Sequence, residues 1–443
     1  MNIQLSEHFS YGKLLRFTFP SIVMMIFTSI YGVVDGIFVS NFAGKTPFAA
    51  VNLIMPYLMA FGILGFMMGT GGTALIAKTL GAGYREKAND IFTMLTIVCI
   101  TGGLALTVLS IALLRPAAIL LGATGQMLED CVTYGVIVQL ALTAYILQYA
   151  FQSFCVTAEK PNLSLTMMIV AGVCNIALDA LFVAVFRWGL VGAAVATAIA
   201  QYVGAVIPLI YFARPNDSLL RFTKCRFDGK ALLQSCFNGS SELMSNLSMS
   251  VVGMLYNLQM IRYAGEDGVA AYGVIMYVNF VFMAVFIGYA IGSAPLIGFN
   301  YGADNRPEMK NIFRKSVVIL TGFSLLMAGG AFLVSKPLSG IFVGYDPVLL
   351  DLTVRGFRIY ALSFLFSGFN MFGSSLFTAL NNGLISAVIS FVRTLICQIA
   401  AVLLLPMILG VDGIWLSVVA AELAALILTG LFVVKYRSRY HYA

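Results

Sequence analysis

The sequence predicts an all-α membrane protein with twelve transmembrane helices, arranged as two six-helix bundles. Three observations support this fold class. Hydrophobic residues make up 60% of the chain and charged residues only 10%, with a mean hydropathy of +0.93, whereas soluble domains carry about 25% charged residues. Apolar runs long enough to cross a bilayer recur twelve times. The two halves of the chain also resemble each other when aligned at an offset of 221.

The internal repeat can be followed without a gap. Between Gly44 and Phe92, 14 of 49 positions are identical to their counterparts at that offset. The matches include punctuating residues, namely Gly44, Gly71, Gly81 and Arg85, which pair with Gly265, Gly292, Gly302 and Arg306. Because 221 is half of 443, two repeats fill the chain. Six spans per repeat is an even number, so both halves enter the membrane from the same side and form parallel repeats.

A membrane-spanning helix needs about 20 predominantly apolar residues. Runs of that size fall at 14–41, 47–77, 88–114, 130–157, 161–186, 189–212, 231–262, 268–299, 309–335, 348–379, 384–408 and 412–434. Glycine, proline or charged residues separate them, as at Gly44-Lys45 and Asn381-Asn382-Gly383. We therefore expect a first bundle at 1–215, a linker at 216–229 and a second bundle at 230–443.

The basic residues indicate the orientation of the spans. The N-terminus, the loops after even-numbered spans and the C-terminus hold 18 of the 26 Lys and Arg residues, and the opposite loops hold seven. Cytoplasmic loops carry the excess of basic residues, so both termini are expected in the cytoplasm and the protein in the cytoplasmic (inner) membrane. Since these residues lie in short loops, the formal charge of +7 does not indicate a nucleic-acid partner.

Several function classes are excluded by what the sequence lacks. Met1 to Gly12 is polar, so we expect no cleavable signal peptide. The seven cysteines have no CxxC spacing, and the histidines are only His8 and His441, so no disulfide framework or zinc site is indicated. No P-loop, HExxH or GxSxG motif is present. We expect no enzymatic activity and no cofactor, which leaves transport driven by an ion gradient.

Four polar residues in the first half form the main candidate site. Asp35 in span 1, Asn175 and Asp179 in span 5 and Thr197 in span 6 fall at compatible depths in the outer half of the first repeat. A charge in mid-span costs about 2.5–3.5 kcal/mol on insertion scales, so such residues are usually functional. Two carboxylates, an amide and a hydroxyl suit Na⁺ or a shared proton. The alternative is that both acids bond nearby backbone.

The repeat argues for function. At the 221 offset, Asp35, Asn175 and Asp179 become Tyr256, Ile396 and Ala400. A purely structural role should recur as readily as the fold. From the oxygen groups of this site, we expect the coupling ion to be H⁺ and/or Na⁺. H⁺ is preferred, because no second cluster of polar residues adds ligands for Na⁺. No other metal is indicated.

Other unusual residues allow two interpretations each. Arg393 in span 11 and Glu422 in span 12 are placed to form an ion pair between adjacent helices, or to take part in transport. Glu242 in the inner half of span 7 is either a second titratable group or a partner of nearby serines. Pro20 interrupts span 1 upstream of Asp35, and such breaks can mark bending points.

With these features in place, the chain resembles the MATE (multidrug and toxic compound extrusion) family over essentially its whole length. The resemblance rests on Pro20-Ser21, Val34-Asp35-Gly36-Ile37-Phe38-Val39-Ser40, Gly71-Gly72-Thr73-Ala74, Gly81-Ala82-Gly83, Gly298-Phe299-Asn300-Tyr301-Gly302-Ala303, and Asn175 with Asp179. The runs Tyr256-Asn257-Leu258-Gln259 and Gly268-Val269-Ala270-Ala271-Tyr272-Gly273 are similar to its bacterial MepA-like and DinF-like branch.

The resemblance implies a V-shaped pair of bundles that exports amphipathic, often cationic, compounds in exchange for H⁺ or Na⁺. Asp35, Asn175, Asp179 and Thr197 then match the cation and proton site of the first bundle. A NorM-type second site is not expected, because span 10 has only Asp351, near its outer end. The expected partners are small amphipathic substrates and the lipid bilayer, and the expected state is a monomer. The alternative is a flippase for lipid-linked precursors of the same superfamily.

Overall fold

The computed structural model describes residues 3–38, 45–224 and 226–442, and its regular elements in those ranges are all helices. Asp35 is among a few helical residues of which only the backbone is described.

In the first half, spans 1 to 3 are single helices, namely α1 (Tyr11–Phe38), α2 (Lys45–Gly81) and α3 (Arg85–Leu120). Span 4 consists of α4 (Gly125–Leu140) and α5 (Leu142–Thr157), and span 5 of α6 (Pro161–Asp179) and a π-helical turn (Ala180–Val185). Span 6 is α7 (Gly189–Ala213). In the second half, α8 (Gly229–Asn238) and α9 (Ser240–Gly302) together form spans 7 and 8, and span 9 is α10 (Arg306–Val343). Span 10 consists of α11 (Pro347–Ala361) and α12 (Phe364–Ala379). Span 11 consists of α13 (Gly383–Phe391), a π-helical turn (Val392–Cys397) and α14 (Gln398–Leu409), and span 12 is α15 (Val411–Tyr440).

The predicted twelve-span layout with two repeats is confirmed. Within the described ranges, nine helical stretches are long and apolar enough to cross a membrane, and α4 with α5, bent by 54°, makes a tenth. The stretch Gly229–Gly302 supplies two spans, since its backbone breaks at Gly265 (φ 63°, ψ −150°), a conformation that suits glycine. The twelfth span is formed by α11 together with α12, and α11 carries several charged residues.

The backbone repeats as the sequence does. Residues with positive φ follow the ends of helices at Gly83 and Asp304, and stand at the starts of helices at Gly189 and Gly410. The members of each pair are related by the 221 offset. One extra residue enters before span 10, because α5 begins at Leu142 and its counterpart α12 at Phe364. In spans 10 and 11 the repeat offset is therefore 222, so Asn175 and Asp179 align with Cys397 and Ala401 rather than with Ile396 and Ala400, and neither counterpart is acidic.

The two bundles meet through pairs of repeat-related glycines. A Cβ on Gly81 would overlap the backbone of Phe299, and a Cβ on Gly302 would overlap the backbone of Lys78. Gly71 packs on Gly239 in the same way, and its counterpart Gly292 packs on Thr18. These contacts lie on the side of the molecule that carries both chain termini, here called the terminal side. Because glycine has no side chain, the helices can touch at these positions, which are related by a pseudo-two-fold axis.

Residues 3–10, here called the N-terminal strap, cross this interface. The Leu5 amide donates to the Glu159 carboxylate of the first bundle. The Phe9 amide donates to Glu308 Oε1 of the second bundle (2.9 Å), and Lys315 Nζ donates to the Phe9 carbonyl (2.6 Å). Leu5 and Phe9 are fully buried. The strap therefore ties the two bundles together on the terminal side.

The linker between the bundles runs along span 3. The amides of Arg221 and Thr223 donate to Asn89 Oδ1 (3.0 Å) and Thr93 Oγ1 (3.1 Å). Asp228 then caps α8 by accepting from the amides of Lys230 and Ala231. The connection is anchored at several points along its length.

Candidate cation site in the first bundle

Span 5 carries a polar face buried inside the first bundle. Asn175 is 2% exposed and Asp179 is 0% exposed. They lie four residues apart, which places them on one helix face. Regular α-helix ends at Asp179 and continues as the π-helical turn Ala180–Val185. Such turns redirect side chains and are frequent at functional sites.

The packing of span 5 on span 1 brings Asp35 to this level. A Cβ on Gly172 would overlap the Phe27 ring and lie 3.3 Å from the Tyr31 ring, so Gly172 lies between these two residues in height. Spans 1 and 5 run in the same direction. Four residues beyond Tyr31 is Asp35, and seven beyond Gly172 is Asp179. At about 1.5 Å per residue, the two backbone positions lie within one helical turn of each other.

Span 6 completes the site in the same way. A Cβ on Gly204 would lie 3.2 Å from the Ala171 Cβ, and span 6 runs opposite to span 5. Counting outward from this contact, Gln201 reaches the level of Asn175, and Thr197 the level of Asp179. Gly204, Gln201 and Thr197 are spaced three and four residues apart, so they share the face that meets span 5.

Polar atoms at this level are buried without hydrogen-bond partners among the described residues. They are Asn175 Nδ2, Thr197 Oγ1 and Gln201 Oε1. A buried polar group left unpaired costs about 1–3 kcal/mol, so three in one place indicate a site for something that satisfies them. Beside the buried Asp179 carboxylate, the hydroxyl and amide oxygens suit a hard cation or a protonated acid with water.

This set is unlike a transition-metal site. No group of three His, Cys, Asp or Glu side chains that could hold a metal lies within the described ranges. Oxygen donors from an amide and a hydroxyl are instead ligands for a monovalent cation or partners for a proton. The Asp35 side chain lies outside the described part, so only its helical position bears on the site.

The second bundle buries an ion pair. Arg393 Nε donates to Glu422 Oε1 (2.9 Å) and Oε2 (3.1 Å), and Arg393 Nη2 lies 2.8 Å from Oε1. Asn370 Nδ2 donates to Glu422 Oε2 (2.7 Å). The two charged side chains are 12% and 5% exposed. The carboxylate is thus neutralised within the protein.

Glu242 and Pro20 both lie near the contact between the bundles. Glu242 is half-buried and follows Gly239, which packs on the Met67 backbone. Ser240, one of the hydroxyls expected near it, donates to the Phe237 carbonyl instead (2.7 Å).

Pro20 lies inside the continuous helix α1. Next to it, a Cβ on Gly288 of span 8 would meet the Ser21 carbonyl at 2.7 Å. The proline therefore lies where span 1 touches the other bundle, and the helix continues through it without a break.

Comparison with known families decides the relationship. The MatE family model matches residues 20–181 and 243–404, one copy in each half. The chain belongs to the MatE family. The predicted resemblance is therefore confirmed, and the two matches to the MatE model fall one in each half of the internal repeat.

Curated relatives extend the MatE assignment over nearly the whole chain. Multidrug export protein MepA of Staphylococcus saprophyticus is 27% identical over 366 residues, covering 80% of each chain. MepA of Staphylococcus aureus is 24% identical over 422 residues, covering 94% of this chain and 92% of the relative. The outward-facing structure of a multidrug resistance MATE family transporter of the MOP superfamily superposes with a TM-score of 0.93 at 22% identity, covering 99% and 98% of the chains. At that identity the superposition establishes the MatE fold.

One residue of the candidate site, Gln201, was not predicted from the sequence. Gln201 is uncharged, so it does not stand out among the intramembrane acids. Its spacing was available, since it follows Thr197 by one helical turn. What identifies it is the register of span 6 on span 5, set by Gly204, together with its unpaired oxygen.

Proposed function

We propose that this MatE protein is a secondary antiporter of a bacterial cytoplasmic membrane, exporting amphipathic, often cationic, organic compounds in exchange for a cation. The relatives' name, multidrug export protein, supports the substrate class. The preferred coupling ion is H⁺, with Na⁺ as a competitor for the same site. The proposal takes the functional unit to be a monomer.

The buried cluster in the first bundle carries this proposal. The Asp179 carboxylate is completely buried at the level of three polar atoms that have no partners among the described residues. A buried carboxylate takes up a proton or a cation to offset the loss of solvation. Asp35, whose backbone position lies at the same height, is the second acid in this proposal. Such a site can load on one side of the membrane and unload on the other.

Alternating access supplies the rest of the cycle. The bundles are joined on the terminal side by close-packed glycines and by the N-terminal strap. With the termini in the cytoplasm, as the basic residues indicate, this arrangement is closed to the cytoplasm. Protonation of the acid pair removes buried charge and lets span 1 repack near Pro20, which changes access to the first bundle.

The experiment uses purified protein in vesicles with an imposed proton or sodium gradient and a fluorescent cationic substrate. Gradient-driven substrate movement is expected, with a larger response to the pH gradient. Transport driven by Na⁺ at fixed pH and clamped potential, without response to a pH gradient, would reverse the choice of ion. Movement indifferent to both gradients would contradict antiport.

The acids are tested by Asp35→Asn and Asp179→Asn. Each variant imitates the protonated state, so we expect inserted protein that binds substrate but has lost coupled transport. Asp351→Asn, an exposed acid in span 10, is the matched control and should transport normally. If coupled efflux per inserted molecule stayed near normal in the first two variants, the proton would belong elsewhere.

The flippase alternative receives less support. Such a protein needs basic side chains available to bind the pyrophosphate of a lipid-linked precursor. Arg393 lies deepest in a span among the basic residues of the sequence, and it is already bonded to Glu422.

A further inference from the structure

The ion pair of the second bundle occupies the repeat counterpart of the cation site. At the 221 offset, Glu422 is the counterpart of Gln201, the amide at the inner edge of the candidate site. With the 222 offset of spans 10 and 11, Arg393 corresponds to Ala171 and Asn370 to Gln148. In the first bundle Ala171 and Gln148 are the residues that touch span 6 at Gly204. The two bundles therefore place different chemistry at one internal position.

The first bundle leaves this position open to a ligand. Gln201 Oε1, Thr197 Oγ1 and Asn175 Nδ2 are buried without partners among the described residues. In the second bundle, Glu422 accepts from Arg393 and Asn370, and Asn370 Oδ1 in turn accepts from Thr429 Oγ1 (3.2 Å). There the charge and the hydrogen-bonding capacity are already satisfied.

We propose that Arg393 is a built-in counter-cation that permanently holds, in the second bundle, the place which the exchangeable cation takes in the first. Cation coupling is thereby confined to one bundle. The inference rests on the proposed antiport function and assigns Arg393 as the residue that sets how many cations move per substrate. Glu422 is its anchor and is not a coupling acid.

The surroundings of Glu422 support this role. Among the described residues, Tyr256 of span 7, Tyr360 of span 10 and Cys397 of span 11 lie within electrostatic reach of Glu422. None of the three is basic, and the Tyr256 hydroxyl is engaged by Gln398 Oε1 (2.7 Å). Without Arg393, the buried carboxylate must take up a proton or a monovalent cation, because an isolated buried carboxylate is strongly disfavoured.

The test compares Arg393→Gln with the double variant Arg393→Gln/Glu422→Gln in vesicles. Arg355→Gln is the matched control, since Arg355 forms an exposed ion pair with Asp412 in the same bundle. At clamped potential, a fixed substrate gradient opposes transport, and the gradient of the driving cation is varied. The measured quantity is the cation gradient at which net substrate movement stops. Arg393→Gln should balance at a smaller gradient than wild type, because one more cation moves per substrate. The double variant and Arg355→Gln should match wild type.

Infrared spectroscopy gives a readout that does not depend on transport. Arg393→Gln should show the carbonyl band of an additional protonated carboxylic acid, or a Na⁺-dependent carboxylate shift, absent from wild type and from the double variant. A purely structural ion pair would lower stability without changing the balancing gradient.

Inserted Arg393→Gln protein with unchanged or lost coupling would overturn the proposal. Loss of coupling in the double variant would also overturn it, since Glu422 would then carry the cation itself. If Arg393→Gln fails to insert, the double variant decides. A wild type that responds to no gradient would refute the antiport function instead, while the infrared result would still report on Glu422.

Discussion

Gln201 shows how a single neutral side chain can contribute to cation binding. Its amide oxygen is buried without a partner among the described residues, at the level of Asn175, so it is available as a ligand. Gln201→Leu should raise the cation concentration for half-maximal transport by about tenfold or more, since a polar contact to a charged group contributes about 1.5–3 kcal/mol and about 1.4 kcal/mol is a factor of ten. The measurement is initial efflux rate against cation concentration in vesicles.

The control for this variant is Gln126→Leu, an exposed glutamine at the start of span 4. It should leave the half-maximal concentration unchanged. Equal values for Gln201→Leu and wild type would remove Gln201 from the site.

The N-terminal strap bonds to both bundles, so we expect a change in the strap to loosen the contact between them. Phe9 is fully buried, and its amide and carbonyl both bond to span 9. Phe9→Ala should lower the free energy of unfolding, with core Phe→Ala changes costing about 3–5 kcal/mol. It should also lengthen distances between spin labels placed across the terminal side. Phe19→Ala, at a site 62% exposed, is the control, and equal effects of both changes would contradict a strap.

The docking of the strap should depend on pH through Glu159, which lies in the turn between spans 4 and 5. Burial raises the pKa of this carboxyl, although the hydrogen bond from the Leu5 amide and the charge of Lys160 lower it. A carboxyl with a raised pKa in the docked state favours docking at low pH, and this contribution is lost as pH rises through that pKa. A nitroxide on Ser6→Cys should therefore be less mobile at mildly acidic pH.

Glu159→Gln is the decisive comparison for the pH effect. It keeps an acceptor oxygen for the Leu5 amide and removes the titrating group. Its nitroxide mobility should be low and independent of pH over the same range. A pH response that persists in Glu159→Gln would assign it to another group.

At the scale of the whole molecule, the close approach of the two bundles depends on glycine. Gly81 and Gly302 each lie against the other repeat's backbone, where a Cβ has no room. Gly81→Ala should therefore separate the bundles on the terminal side, and spin-label distances there should increase. Gly322→Ala in span 9, with no atom within 4 Å of its Cβ, should keep wild-type distances and gain up to about 1 kcal/mol of helix stability. Unchanged distances in Gly81→Ala would show that the interface yields locally.

Much of the architecture could be predicted because a membrane restricts the choices. Backbone polar groups must be satisfied within each segment, so apolar runs of sufficient length specify helices. Repeated residues such as Gly81 and Gly302 then specify two similar bundles. The single-residue insertion before span 10 was beyond this reasoning, because the glycine matches on both sides of it keep the offset of 221.

The candidate site was predicted only in part. Asp179 stands out by its charge within an apolar span, and Asn175 by its spacing of one helical turn from Asp179. Gln201 does not, since its importance depends on which face of span 6 meets span 5. The sequence alone also left open whether Glu422 is a transport acid or a structural one. Its contact with Arg393 depends on how spans 11 and 12 pack, which no local pattern encodes.

The sequence by itself determined the twelve spans, the duplicated bundles, the family and the confinement of the acidic pair to the first half. These properties follow from composition and period, which act locally along the chain. Only the tertiary structure decided how the halves join, through glycines and a buried strap, and which polar atoms of the described residues remain without partners. Such features depend on the register between helices distant in sequence, and register is set by side-chain packing across the interface.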